Sequence, residues 1–206
     1  MVSIRRYKET DRPALRAFAL AHAPEGFADK KGSTELYPAI YLDYYLEYEP
    51  ENTLVAEDED GTLAGYIVCS NDYNCFCRKM VGYVKRHVAP ISYGEVGRID
   101  ELMAAVRKLH PGLTTHCFLL LSPDYLHQGL FRDLLTAEAG LQAEYKDPYL
   151  AVLWVEPGSH RHGVLSDIGF EDFGTPDETG TVAMILDTEP FEGKAPAPLK
   201  MDEDDG

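Results

Sequence analysis

The chain has 206 residues, 45% hydrophobic and 26% charged, enough for one ordinary domain with a sizeable core. Its net charge of −16, with no basic cluster, excludes nucleic acid, whose binding rests on Lys and Arg neutralising phosphates. No apolar run approaches the roughly 20 residues needed to cross a bilayer, so no membrane partner is expected.

The N-terminal MVSIRRYKETD has no signal-peptide core, and the expected location is the cytoplasm. The acidic excess either concentrates a cationic substrate such as an amine or serves only solubility. Cys69, Cys75, Cys77 and Cys117 have no disulfide-framework spacing. Cys75-Phe76-Cys77 has no second Cys/His pair at zinc spacing, so buried free thiols and no metal are expected.

The first strand is expected over residues 2–7, with Ile4 inward. Thr10 or Asp11 can cap a helix that has Pro13 in its first turn and Leu15, Phe18, Ala19 and His22 on one face. A loop follows over 23–32, and Ser33 can cap a second helix over 34–48. Tyr37, Tyr41, Tyr44, Tyr45 and Tyr48 recur along it at helical spacing, a pattern of either core or a binding wall. Segments 53–57 (TLVAE) and 62–69 (TLAGYIVC) flank Asp58-Glu59-Asp60-Gly61. An Asp-Gly turn between apolar runs predicts a hairpin. Between 71 and 113 two helices are expected, over about 75–88 and 98–110, broken at Pro90 and closed by Pro111-Gly112.

The chain is organised around residues 115–145. An apolar run over 117–121 reads as a buried strand, 122–128 as a polar loop, and Gly129 opens a helix. Leu130, Leu134, Ala137 and Leu141 give that helix its period. A strand, a tight loop and a helix start together make an anion cradle. The first-turn N–H groups lack intrahelical partners, the dipole favours negative charge, and Gly129 lets a phosphate approach the backbone. A diphosphate-bearing cofactor is expected there. Asp147-Pro148 then breaks the helix, and 150–155 (LAVLWV) is another buried strand. Ser159 can cap a short helix through 167, which ends on Gly169 and enters a strand at Phe170. Segment 181–187 (TVAMILD) is the last strand, paired with 170–173. The domain is expected to span 1–188, and 189–206 to be a flexible acidic tail.

These segments carry a resemblance. Leu126-His127-Gln128-Gly129-Leu130-Phe131 resembles the Arg/Gln-x-x-Gly-x-Gly/Ala motif of the GNAT superfamily of acetyl-CoA-dependent N-acetyltransferases. Gly129 matches; Leu126 replaces the usual Arg or Gln, and Phe131 the usual small residue. The hairpin with Gly65-Tyr66 and the run Ile168-Gly169-Phe170 also resemble superfamily signatures. The insertion at 71–113, with Leu109-His110-Pro111 and His116, is similar to the acetyltransferase-like domain of O-GlcNAcases. The resemblance implies an α/β fold of GNAT type: a mixed, mostly antiparallel central sheet of about seven strands with helices on both faces.

It further implies acetyl-CoA as co-substrate and direct transfer of an acetyl group to a primary amine of a small molecule or lysine. Leu126, His127, Gln128, Gly129, Leu130, Phe131 and Arg132 would hold the cofactor. Strand backbone at Leu120 and Leu121 would flank its pantetheine arm, and an N–H there would polarise the thioester carbonyl. Tyr41, Tyr44 and Tyr45 would lie on the acceptor side. Where the superfamily usually has a strand Glu or a water chain as base, this strand offers His116. Its ordinary pKa of about 6.5 suits an ammonium at neutral pH, or it is an edge histidine with a structural hydrogen bond. Leu165 occupies the position of the superfamily's usual tyrosine acid. His160-Arg161-His162 either touches cofactor or acceptor, or is a solvent-facing helix start. The alternative to an enzyme is a catalytically degenerate member that binds CoA or a protein partner. Oligomeric state stays open, a homodimer included.

Overall fold

Asp58 builds the first turn of the sheet. Its carboxylate accepts the Asp60 and Thr62 N–H groups at 3.0 and 2.9 Å, and Gly61 takes the left-handed φ of 78°. Strands β1 (Ser3–Arg6), β2 (Thr53–Glu57) and β3 (Leu63–Ser70) form an antiparallel run, with β2 and β3 as the predicted hairpin. Strand β4 (His116–Leu121) is antiparallel to β3, and β5 (Tyr149–Val155) runs parallel to β4. Strands β6 (Glu171–Phe173) and β7 (Val182–Asp187) complete one seven-stranded sheet in the order β1-β2-β3-β4-β5-β7-β6. The mixed, mostly antiparallel sheet expected from the sequence is present. These positions come from a computed structural model that describes residues 2–23, 33–88, 97, 112–126, 129–177 and 180–198.

Helices cover both faces. On one lie α1 (Arg12–Ala21), α2 (Ser33–Pro38), α3 (Tyr44–Tyr48) and α4 (Tyr73–His87). On the other lie α5 (Leu130–Glu144) and α6 (His160–Ile168). Alternation along the strands divides the side chains between two cores. Tyr66, Val68 and Phe118 face α1–α4, while Ile67, Cys69 and Cys117 face α5 and α6. Leu134 and Leu141 of α5 are fully buried, each contributing about 1.5–3 kcal/mol on transfer out of water.

Local signals set most helix ends. Asp72 caps α4 by accepting the Cys75 N–H at 2.7 Å, and Ser159 caps α6 by accepting the His162 N–H at 3.2 Å. Gly169, at φ 116°, ends α6 as expected. Asp11 behaves differently. Its carboxylate serves the Arg5 guanidinium and the Lys8 N–H rather than capping α1. The expected tyrosine helix is interrupted too, because Ala39–Asp43 is a π-helical turn between α2 and α3, directly after Pro38. The second insertion helix, expected over 98–110, lies outside the described residues, as do Pro90 and Leu109-His110-Pro111.

The expected tail needs correction. Phe191 and Ala195 pack on the second core, and the Arg6 guanidinium donates to the Pro196 carbonyl at 3.1 Å. Gly140 of α5 lies so close beneath this strap that a Cβ there would meet the Ala195 nitrogen at 2.5 Å. The chain from 189 to 196 therefore packs on the domain rather than leaving it at 188; 199–206 lie outside the described residues. The four cysteines are free thiols. Among the described residues no helix is long and apolar enough to cross a membrane, and no His/Cys/Asp/Glu group could hold a metal ion.

Candidate functional site

The site begins where β4 and β5 part. Ser122 donates its N–H to the Ala64 carbonyl at 2.9 Å, continuing the β3–β4 register one step past Gly65↔Leu121. Strand alternation then turns the main-chain groups of Phe118 and Leu120 toward β3. Those of Cys117, Leu119 and Leu121 turn toward β5. Among the described residues the β4–β5 register consists of one pair, Cys117↔Val152.

Beyond that pair β5 is deflected by a bulge. Between Val152↔Met184 and Val155↔Val182 it carries one more residue than β7. Trp154, in the bulge, has φ 54°, a left-handed conformation that costs a bulky residue about 1–2 kcal/mol. Its ring stacks on Phe118, centroids 5.4 Å apart and planes 16° apart, which helps hold the distortion. The parallel pair therefore opens into a gap edged by the Leu119 and Leu121 backbone. Of the two positions expected beside the pantetheine arm, Leu121 faces this gap. Leu120 is corrected: its main chain belongs to the β3–β4 ladder, and it is the Leu119 main chain that faces the gap.

At the open end lies the loop before α5. Pro123–Tyr125 forms a short 3-10 turn, and the Tyr125 hydroxyl donates to Asp58 at 2.8 Å, tying the loop to the hairpin turn. Gly129 caps α5 at φ 75°, and a Cβ placed on it would meet nothing within 4 Å among the described residues. The Asp133 N–H returns to the Gly129 carbonyl at 3.1 Å. The N–H groups of Leu130, Phe131 and Arg132 thus have no partner within the helix. The Leu130 side chain is buried in the second core, so only its backbone can serve a ligand. His127 and Gln128 lie outside the described residues. Leu126 (55% exposed) and Phe131 line a cavity of about 330 Å3 together with His160, Arg161 and Val164.

Behind the gap stands a wall of aromatic rings. Tyr41, half-buried in the π-helical turn, meets Phe118 edge-on at 4.8 Å and Tyr37 at 4.8 Å. Tyr44 does not line a groove. Its ring is buried against Phe76 and Tyr83, at 5.1 and 5.5 Å, because the helix turns that face into the core. Tyr45 is buried as well, and its hydroxyl meets His116 Nε2 at 2.8 Å.

His116 is not an edge residue. It has no exposed surface and is enclosed by Tyr45, Tyr73, Phe76 and Phe118. Burial pushes its pKa down to about 3, so the ring is neutral throughout the physiological range. This overturns the expectation of a base titrating near neutrality. Leu165 is fully buried, and the position of the superfamily's tyrosine acid is filled by core. The Trp154 bulge has no signal in the sequence, since no residue type announces a tryptophan at positive φ.

Several solved structures share this architecture. SsHAT matches with a TM-score of 0.71 at 20% identity, over 91% of this chain and 98% of that one. The Drosophila melanogaster polyamine N-acetyltransferase, an enzyme that catalyses the formation of N-acetylagmatine, matches at 0.64 and 16%, over 91% and 100%. The Salmonella typhimurium protein yncA, solved with its cofactor acetyl-CoA, matches at 0.53 and 14%, over 96% and 99%. No family model matches the chain, and a search of curated proteins finds no match. At these identities the likeness is one of fold, and the fold is that of the GNAT acetyltransferases.

Proposed function

We propose that this chain is an acetyl-CoA-dependent N-acetyltransferase that passes an acetyl group directly to the primary amine of a small molecule. The observation that carries this is the gap between β4 and β5, edged by unpaired strand backbone and ending at the Gly129 cap of α5. The residues present fit the cofactor at both ends. The Leu130, Phe131 and Arg132 N–H groups would hold the diphosphate at the positive end of the helix. The Leu119 and Leu121 backbone would pair with the amides of the pantetheine arm as an added strand would. When bound, acetyl-CoA supplies the activated acyl group.

The chain's own groups then position and polarise. An N–H on the open edge of β4 can donate to the carbonyl oxygen that gains charge as the amine attacks. The half-buried rings of Tyr41, Phe118 and Trp154 give the acceptor an apolar wall with π faces suited to a cation. The acidic surface raises the local concentration of such a cation. His116, neutral and buried, holds Tyr45 and the strand start rather than taking the ammonium proton, which leaves through solvent at the gap. With Leu165 in place of an acid, the CoA sulfur departs as the thiolate.

The formation of N-acetylagmatine by the Drosophila melanogaster polyamine N-acetyltransferase, which shares this fold, supports an amine as acceptor. A second reading, binding of CoA without turnover, is favoured by Leu126, Phe131 and Leu165. Thiol release from acetyl-CoA over a panel of small amines separates the two. Turnover with any one amine supports the enzyme, and calorimetric CoA binding with no turnover supports the degenerate member.

A further inference from the structure

Acidic residues number 35 in this chain, yet among the described residues the cavity beside the α5 cap has none in its lining. It occupies about 330 Å3 between the first turns of α5 and α6, within the range of small-molecule sites. Its walls are apolar at Leu126, Phe131 and Val164 and carry His160 and Arg161. Arg5, Arg6 and Arg16 each hold carboxylates. Arg161, by contrast, has no hydrogen bond or ion pair among the described residues. Its charge also acts on the thiol of Cys117, the last β4 residue paired with β5. A guanidinium with no carboxylate partner among the described residues thus lines the cavity beside the α5 cap, flanked by apolar surface that lowers the local dielectric. Leu126, exposed and uncharged, fills the position from which the superfamily motif would supply a cation.

We infer that Arg161 is the residue through which this chain recognises the phosphates of CoA, supplying from α6 the fixed charge absent at Leu126. The inference rests on the acetyltransferase reading above and names a specificity-determining residue of that site. A guanidinium presents a planar fork that pairs with two phosphate oxygens at once, which a lysine ammonium cannot match. Either the diphosphate or the ribose 3′-phosphate offers those oxygens.

Calorimetric titration of wild type, Arg161→Gln and Arg161→Lys with acetyl-CoA, acetyl-dephospho-CoA and S-acetylpantetheine tests it. Arg161→Gln weakens acetyl-CoA by about 10- to 100-fold, as expected for a hydrogen bond between charged groups, and Arg161→Lys falls between. S-acetylpantetheine, which has no phosphate, binds wild type and Arg161→Gln alike. A loss that disappears with acetyl-dephospho-CoA assigns the contact to the 3′-phosphate; one that persists assigns it to the diphosphate. Acetyl-CoA affinity within about twofold of wild type in Arg161→Gln overturns the inference and leaves the acetyltransferase reading standing. An equal loss on S-acetylpantetheine also overturns it. Wild type that binds no CoA at about 1 mM overturns that reading and the inference with it. The side chain is exposed and unpaired, so Arg161→Gln melts with wild type by circular dichroism.

Discussion

Replacing Glu138 by glutamine removes an ionisable group that has no exposed surface. Glu138 sits on the inner face of α5 and accepts the Gln142 side-chain N–H at 2.7 Å. Burial pushes its pKa from 4.5 up to about 8, outweighing the help that Gln142 and Cys69 give the charged form. Between those two values the native protein holds a proton that the unfolded chain has released. Stability is therefore fully present below pH 4.5 and falls by about 1.4 kcal/mol per unit until the native pKa is passed. The accumulated loss is about 3 kcal/mol near pH 7 and about 5 kcal/mol by pH 8. Glu138→Gln keeps an acceptor for Gln142 and removes the linkage. Urea unfolding of both proteins across this range should give curves that coincide near pH 4.5, diverge as pH rises, and run parallel above pH 8, with the variant higher. Profiles that run parallel from pH 4.5 upward would refute a buried, protonated Glu138.

Two further substitutions probe the site and its support. Gly129→Asp meets no neighbour among the described residues, and aspartate tolerates positive φ better than most residues, so folding should lose no more than about 1–2 kcal/mol. Its carboxylate would face the free N–H groups of α5, and the thermal shift given by acetyl-CoA should vanish; a shift equal to wild type would contradict the cradle. Tyr45→Phe strips His116 Nε2 of its partner in a sealed pocket and should cost about 1–3 kcal/mol in urea unfolding. An unchanged midpoint would mean that this hydrogen bond does not hold the strand start.

Features decided within a few residues of chain were legible in the sequence. The Asp58 turn, the Ser159 cap and the Gly169 helix end each follow from local hydrogen bonds or from φ, and each stands where those residues predict. The α5 period was legible because Leu130, Leu134 and Leu141 mark one face without help from elsewhere. His116 was not. Its burial comes from rings on α3 and α4, and its hydrogen-bond partner lies 71 residues away. The choice between Leu119 and Leu120 needs the parity of the β3–β4 register, which a single strand does not reveal. Proline and alanine made 189–198 look like tail, yet what fixes the strap is Gly140, whose missing side chain leaves room for it. The gap is the least legible feature, since it arises where β5 gains one residue relative to β7.

The complex with acetyl-CoA, solved crystallographically, tests the central claim most directly. The account predicts diphosphate oxygens on the Leu130–Arg132 N–H groups and the pantetheine arm between β4 and β5, bonded to the Leu119 and Leu121 backbone. A cofactor bound elsewhere, or a gap closed by the Trp154 or Phe131 ring with the ligand present, would contradict it.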